Sequence, residues 1–112
     1  MRLRTALASS TAALALVLSA ASPSSAAIGE FQYTTVDLNN IQVRQRLIDP
    51  VDEECINLDS TANLPALLGR NFTNKQATVF RDADCEGDVW WVVNPGGART
   101  PVPARFRSVV FN

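Results

Sequence analysis

The sequence has 112 residues, with 10 basic side chains, 11 acidic side chains and no histidine. If residues 1–27 are a removable leader, one small domain of 85 residues remains, with 8 basic and 11 acidic side chains and a net charge of −3. These values exclude Ser-His-Asp catalysis, Cys-His catalysis and histidine metal sites. They also make the domain a poor candidate for binding nucleic acid or an anionic membrane.

Residues 1–27 are interpreted as a secretory signal peptide. Arg2 and Arg4 precede an uncharged stretch with an apolar run over residues 14–18, and Ser25-Ala26-Ala27 offers small residues to a signal peptidase. The alternative is a membrane anchor, which needs about 20 predominantly apolar residues. Because serines and Pro23 interrupt the run, the pattern favours cleavage after Ala27, secretion, and no membrane attachment afterwards.

Strands are predicted where aromatic and β-branched residues cluster or alternate with polar ones. In chain order, the predicted strands are residues 31–36, 41–47, 55–58, 76–80, 89–93 and 106–111. The second strand alternates apolar and polar residues, which favours one face in water, although Asn40 would also suit the start of a short helix there. Short strands of this kind, with no long helical period between them, predict an antiparallel β-sandwich or barrel.

The connecting segments carry different signals. Residues 61–69 are predicted to form either a single helical turn or an irregular loop. Residues 94–97, Asn-Pro-Gly-Gly, predict a turn, because glycine adopts positive φ and proline restricts the entry. Residues 100–103 contain two prolines, which cannot donate to a ladder, so a central strand is excluded there.

Cys55 and Cys85 are the only cysteines in the sequence. In an exported protein an even pair indicates one disulfide, here with a sequence separation of 30. The chain-entropy model makes such a bridge worth about 3–4 kcal/mol, before any strain in the native state. A redox pair would need closer spacing and a zinc site would need four ligands, so the structural disulfide is favoured.

Two adjacent tryptophans lie within the strand predicted at residues 89–93. Neighbouring residues of a strand point to opposite faces, and Trp91 shares its face with Val89 and Val93, so Trp91 is predicted to lie in the core. Trp90 then points the other way. It is either covered by another segment or exposed as an anchor for a partner.

Residues 80–87 resemble the Greek-key signature of the β/γ-crystallins. Phe80 occupies the first aromatic position, Cys85 replaces the second aromatic residue, and Gly87 is the signature glycine. Residues 106–111 resemble the closing strand of the same motif, and in that family the serine at the position of Ser108 ties down the folded hairpin.

This resemblance implies a small antiparallel Greek-key β-sandwich over residues 28–112, although residues 28–54 contain no clear first copy of the motif. It also implies a Cys55–Cys85 pairing, because small secreted bacterial relatives often pair a cysteine before the hairpin with one inside it. These relatives include crystallin-type metalloprotease inhibitors and killer-toxin-like proteins.

No metal site or cofactor is expected. Carboxylates occur at alternate positions from Asp82 to Asp88, but the twelfth position of an EF-hand loop would be Val93 instead of a bidentate glutamate. The calcium-binding positions of microbial β/γ-crystallins correspond to Pro103 and Ala104, which have no side-chain oxygen. A solvated acidic hairpin is therefore favoured over a calcium site.

Two further features concern the surface. Arg99 is predicted on a loop beside glycines, where it is either an ordinary surface arginine or a residue presented to a protease. Asn71-Phe72-Thr73 matches the pattern of an N-glycosylation acceptor, which we expect to be silent in a bacterial source.

Without histidine, the acid–base option that remains is a pair of carboxylates, and nothing in the sequence indicates a cleft that would hold them. We therefore expect a secreted, non-catalytic binding protein, with Trp90 and Arg99 as candidate binding residues. Inhibition of an extracellular peptidase is one candidate role. The alternative is an extracellular antimicrobial or cell-wall-active protein, similar to a killer toxin.

Overall fold

The computed structural model describes residues 25–58 and 63–112. This part of the chain forms two antiparallel four-stranded sheets and one disulfide, which confirms the predicted all-β fold class. The strands are β1 (Gly29–Val36), β2 (Gln42–Ile48), β3 (Ile56–Asn57), β4 (Leu67–Thr73), β5 (Ala77–Phe80), β6 (Trp90–Val93), β7 (Ala98–Arg99) and β8 (Ser108–Phe111). In the described ranges, no helix is both long and apolar enough to cross a bilayer.

The two sheets exchange strands between the halves of the chain. Sheet one has the strand order β2-β1-β4-β7, and sheet two has the order β3-β8-β5-β6. The first, second and fourth strands of each half therefore lie together, while the third strand lies at the edge of the other half's sheet. This exchange makes the two halves a single folding unit with one core between the sheets.

The core lies where the inner faces of the two sheets meet. Phe31 of β1 is fully buried, and its ring makes edge contacts with the rings of Phe106 and Phe111, with centroids 6.3 Å and 5.7 Å apart. Such edge-to-face pairs add to the free energy gained by burying the rings. The other buried apolar residues of this cluster are Tyr33, Leu58, Ala66, Ala77, Val79, Val93 and Val109.

Most of the predicted strands are found within one or two residues of their predicted ends. Strand β8 is shorter than predicted at its start, because Phe106 lies before it and forms an isolated bridge with Ala66. The predicted turn at residues 94–97 is present, and Gly96 and Gly97 both have positive φ.

The prediction for residues 61–69 is wrong in its last part. Residues 59–62 lie outside the described residues, and strand β4 begins at Leu67. The sequence of this strand shows no alternation of apolar and polar residues, because its inward side chains are small or polar and the outward Phe72 is 40 % exposed. The buried inward residues are Gly69, Asn71 and Thr73.

The prediction that β2 buries one apolar face is also wrong, although the strand itself is confirmed. Leu47 is the only partly buried residue of this strand, and Val43 and Ile48 are 38 % and 61 % exposed. Strand β2 is an edge strand of sheet one, so most of it has no second sheet opposite. Its alternating pattern therefore does not report burial.

Part of the predicted leader is described, while residues 1–24 lie outside the described ranges. Ala26 forms an isolated bridge with Val51, and the Ala27 amide donates to the carbonyl of Pro50 at 2.7 Å. The Ser25 hydroxyl donates to the buried carboxylate of Asp52 at 2.8 Å. Cleavage after Ala27, as the sequence predicts, would remove these contacts from the mature protein.

Candidate functional site

The β5–β6 hairpin folds back over the outer face of sheet two. The Ser108 hydroxyl donates to the carbonyl of Asp82 at 2.6 Å and accepts from the Cys85 amide at 2.9 Å. The Asn57 side chain pairs with Asp84, donating to its carboxylate at 2.9 Å and accepting from its amide at 2.8 Å. Asn57 lies on β3 in the first half of the chain, and the fully buried Ser108 lies on β8 in the second half. Both halves of the chain therefore hold this hairpin.

A disulfide and a glycine fix the same hairpin. Cys55 and Cys85 form the predicted disulfide, with Cα atoms 5.9 Å apart. Gly87 has a φ of +95°, and a Cβ there would collide with the carboxylate of Asp82. A residue with a side chain at position 87 would therefore be strained by its φ, and the exposed Asp82 carboxylate would have to move aside.

The folded hairpin carries a concentration of negative charge. The exposed carboxylates on it belong to Asp82, Asp84, Glu86 and Asp88, and Glu53 and Glu54 precede the bridged Cys55. Within the residues the structure describes, no three His, Cys, Asp or Glu side chains are grouped so as to hold a metal ion. The Asp82 carboxylate lies 3.5 Å from Arg81, so part of this charge is balanced within the hairpin.

An apolar patch lies beside this hairpin on the outer face of sheet two. Trp90 and Val92 on β6 are 52 % and 51 % exposed, and the ring of Phe80 on β5 lies 6.4 Å from the ring of Trp90. We call Phe80, Trp90 and Val92 the Trp90 patch. The half-buried Trp91 points to the opposite face and packs against the core.

The patch borders an unpaired strand edge. Strand β6 is the last strand of sheet two and pairs with β5 alone, so one side of its backbone has no strand partner in the described part of the chain. An edge strand with exposed apolar side chains is a surface to which an extended segment of another protein can pair. The structure thus leaves the Trp90 side chain accessible instead of covering it with a loop.

Arg99 lies on a strand and not on the loop that the sequence predicts. It belongs to β7 of sheet one, opposite Arg70 of β4. Backbone hydrogen bonds fix both ends of this short strand, from Gly97 to Asn71 at 2.7 Å and from Thr100 to Gly69 at 3.0 Å. Trp90 and Arg99 therefore belong to edge strands of different sheets and do not share a sheet face.

The arginines that accompany Arg99 do not stand out in the sequence. On the outer face of sheet one, Arg46, Gln32, Arg70 and Arg99 are successive cross-strand neighbours on β2, β1, β4 and β7. We call these four residues the arginine row. Only the alternation Arg44-Gln45-Arg46 was visible in the sequence, since the register that aligns three distant segments cannot be read from it.

The sequon at Asn71 falls on a structural residue. Asn71 is fully buried, and its side-chain nitrogen donates to the carbonyls of Lys75 at 2.7 Å and Val93 at 2.9 Å. A glycan on this nitrogen would replace one of its two hydrogens, so at least one of these hydrogen bonds would break and a sugar would have to enter a fully buried position. The folded protein therefore does not present Asn71 as an acceptor, and the side chain instead ties β4 of sheet one to β6 of sheet two.

Comparison with protein-family models, with curated proteins and with solved structures finds no significant match to this chain. A function therefore has to follow from the side chains on the two outer faces.

Proposed function

We propose that this protein is a secreted, non-catalytic binding protein that recognises an extracellular protein through the Trp90 patch. The observation that carries this proposal is the half-exposed Trp90 on an edge strand, beside Phe80 and Val92. Tryptophan is enriched among the few residues that carry most of the binding energy in protein interfaces, and a rigid scaffold lowers the cost of ordering it. Here the scaffold is a sheet whose other face is the core.

The proposed mode of binding is strand addition. An extended segment of the partner pairs with the open edge of β6, while its side chains contact Trp90 and Val92. Main-chain hydrogen bonds then give affinity and the aromatic side chain gives selectivity. The acidic hairpin next to the patch, which carries Glu86 and Asp88, favours a partner segment flanked by basic residues.

The resemblance to β/γ-crystallins points to an extracellular peptidase as the partner. Two features support a Greek-key domain of that type: the exchange of the third strand between the halves, and the Ser108 hydroxyl that joins Asp82 and Cys85. Secretion is part of the same proposal. It is supported by the leader pattern and by a disulfide that suits an oxidising compartment.

The proposal is tested by capture on immobilised wild-type protein from culture medium of the source organism, followed by identification of the captured protein. The complex is then rebuilt from purified components, and the activity of any captured peptidase is measured against the concentration of binding protein. Stoichiometric loss of peptidase activity would support an inhibitor. A captured protein that is not a peptidase would support binding but reject inhibition.

The two tryptophans provide matched variants for this test. Trp90→Ala should cost less than about 1 kcal/mol of stability, because half of the ring is already in water, yet it should weaken the rebuilt complex at least about 30-fold. Trp91→Ala removes a half-buried ring that packs on the core, and should cost about 2–4 kcal/mol. Thermal melts report the first quantity and titration of the purified partner reports the second. Equal destabilisation by the two changes would place both rings in the core and reject the anchor.

The alternative function is an antimicrobial or cell-wall-active protein. The arginine row favours it, because guanidinium groups concentrated on one face of an otherwise acidic domain attract anionic polymers. Such a protein should inhibit the growth of target cells when no peptidase is present. Growth assays with purified protein therefore separate the two functions.

A further inference from the structure

Positive charge is concentrated on the outer face of sheet one. Neighbouring strands of a sheet lie about 4.8 Å apart, so the four residues of the arginine row span roughly 14 Å across the sheet. Arg44 lies two residues from Arg46 on the same face of β2. Four of the arginines of this acidic protein therefore share one surface, although they come from three different strands.

Negative charge balances one end of this surface and not the other. Glu30 lies 3.5 Å from Arg46 and accepts a hydrogen bond from Gln32 at 2.6 Å. At the other end, Arg70 and Arg99 lie directly opposite each other, and no carboxylate of the described residues pairs with either. Like charges in directly opposed positions of a sheet are destabilising, so the fold maintains an unfavourable pair at this point.

Arg70 is held in a fixed position. Its Nε donates to the carbonyl of Gly97 at 3.0 Å, and its guanidinium carbon lies 4.4 Å from the centre of the Phe72 ring. A Cβ at position 97 would lie 3.2 Å from the Phe72 ring. The glycine therefore leaves room for this stack. The terminal nitrogens of Arg70 are thereby presented to solvent with little conformational entropy left to lose.

A small cavity lies between these arginines. It has a volume of about 190 Å³, and its lining includes Gln32, Arg44, Leu68, Arg70, Arg99 and Val102. This volume is below the range of about 300–1,000 Å³ that is typical of sites for whole drug-sized ligands, so the cavity suits one charged group of a ligand.

We propose that this cavity binds a doubly charged tetrahedral oxyanion of the phosphate-monoester or sulfate class, held between Arg70 and Arg99. Two guanidinium groups carry a charge of +2, which a carboxylate would only half neutralise, whereas a phosphate monoester carries about −1.5 to −2 at neutral pH. Guanidinium groups match such anions because they donate two parallel hydrogen bonds to neighbouring oxygens. Arg44 also lines the cavity and supplies a third positive charge.

Isothermal titration tests the site with inorganic phosphate and with sulfate, each compared with sodium chloride at the same ionic strength. The variant is Arg99→Gln, and the control is Arg81→Gln, which removes another exposed arginine, from the acidic hairpin of sheet two. We expect Arg99→Gln to weaken binding at least about tenfold, the loss that follows from removing one charge-assisted pair. Arg81→Gln should bind like the wild type.

Two further readouts keep the proposal falsifiable. Without anion, Arg99→Gln should melt at or above the wild-type temperature, since it relieves the repulsion with Arg70, so a folding defect would not mimic lost binding. Phosphate should bind more weakly at pH 5 than at pH 8, because inorganic phosphate is singly charged at pH 5 and mostly doubly charged at pH 8, while sulfate should not change. Equal effects of chloride and phosphate, or binding by Arg99→Gln within twofold of wild type, would overturn the proposal.

Discussion

The two sheets share one strand plan, yet their hairpins are closed in different ways. In the β1–β2 hairpin, the Asp37 carboxylate accepts hydrogen bonds from the amides of Asn39 and Ile41, both at 2.9 Å, so the turn is closed by its own residues. The β5–β6 hairpin is instead held by Ser108, by Asn57 and by the disulfide, with partners 23 to 30 residues apart.

This difference explains why the two outer faces have different chemistry. The locally closed hairpin belongs to sheet one, whose outer face carries the arginine row with Arg46 and Arg99 exposed. The other hairpin folds back over sheet two and covers Ser108, and the Trp90 patch beside it stays exposed. A shared plan of strands therefore supports two separate surfaces, since the connections decide which part of each face meets solvent.

The largest expected effect comes from removing the bridge of the folded hairpin. The double variant Cys55→Ser and Cys85→Ser should lose about 3–4 kcal/mol of stability, because a 30-residue separation is no longer constrained in the unfolded chain. Urea unfolding of the oxidised protein and of the variant measures this difference. A loss below about 1 kcal/mol would mean that the hydrogen bonds of Ser108 and Asn57 hold the hairpin without the bridge.

A smaller effect distinguishes the two ways of closing a hairpin. Ser108→Ala removes the hydroxyl that the carbonyl of Asp82 and the amide of Cys85 share. Because water does not reach this buried position, the change should cost about 1–3 kcal/mol of stability. Asp37→Ala frees amides that water can reach, and should cost about 1 kcal/mol or less. Chemical denaturation of both variants gives the ranking, and the reverse order would contradict the proposed difference between the hairpins.

A further modest effect concerns residues 25–27, which contact the connection between sheet one and sheet two. A chain beginning at Ser25 keeps the hydrogen bonds to Pro50 and Asp52, and should be about 1–2 kcal/mol more stable than a chain beginning at Ile28. Thermal melts of the two purified chains measure the difference.

N-terminal sequencing of the protein recovered from culture medium should give Ile28 or Ala27 as the first residue. A full-length form retained in membranes would contradict the leader prediction.

Several elements were predictable because their residues carry local signals. The β-branched and aromatic runs of β1, β5 and β6 and the turn around Gly96 and Gly97 need no long-range information. The disulfide was predictable because the leader pattern predicts export and two cysteines allow one pairing within the molecule. In these cases the local preference of the chain and its tertiary environment agree.

The missed elements depend on partners that are distant in sequence. Strand β4 turns Gly69, Asn71 and Thr73 inward, and Asn71 is tolerated there because its amide finds the carbonyls of Lys75 and Val93. The arginine row arises because the register places Arg70 beside Gln32 and Arg99. Neither the hydrogen-bond partners of a buried amide nor a cross-strand register is encoded in the composition of one segment.

Hydrogen–deuterium exchange of the protein in the rebuilt complex locates the partner most directly on one of the two outer faces. Our account predicts slower exchange in peptides that contain Trp90–Val93, whose strand edge gains hydrogen bonds, and no change in Gln42–Ile48 of sheet one. Slower exchange confined to Gln42–Ile48 and to the neighbourhood of Arg99, with β6 unchanged, would contradict the account. It would show that the partner binds at the arginine row.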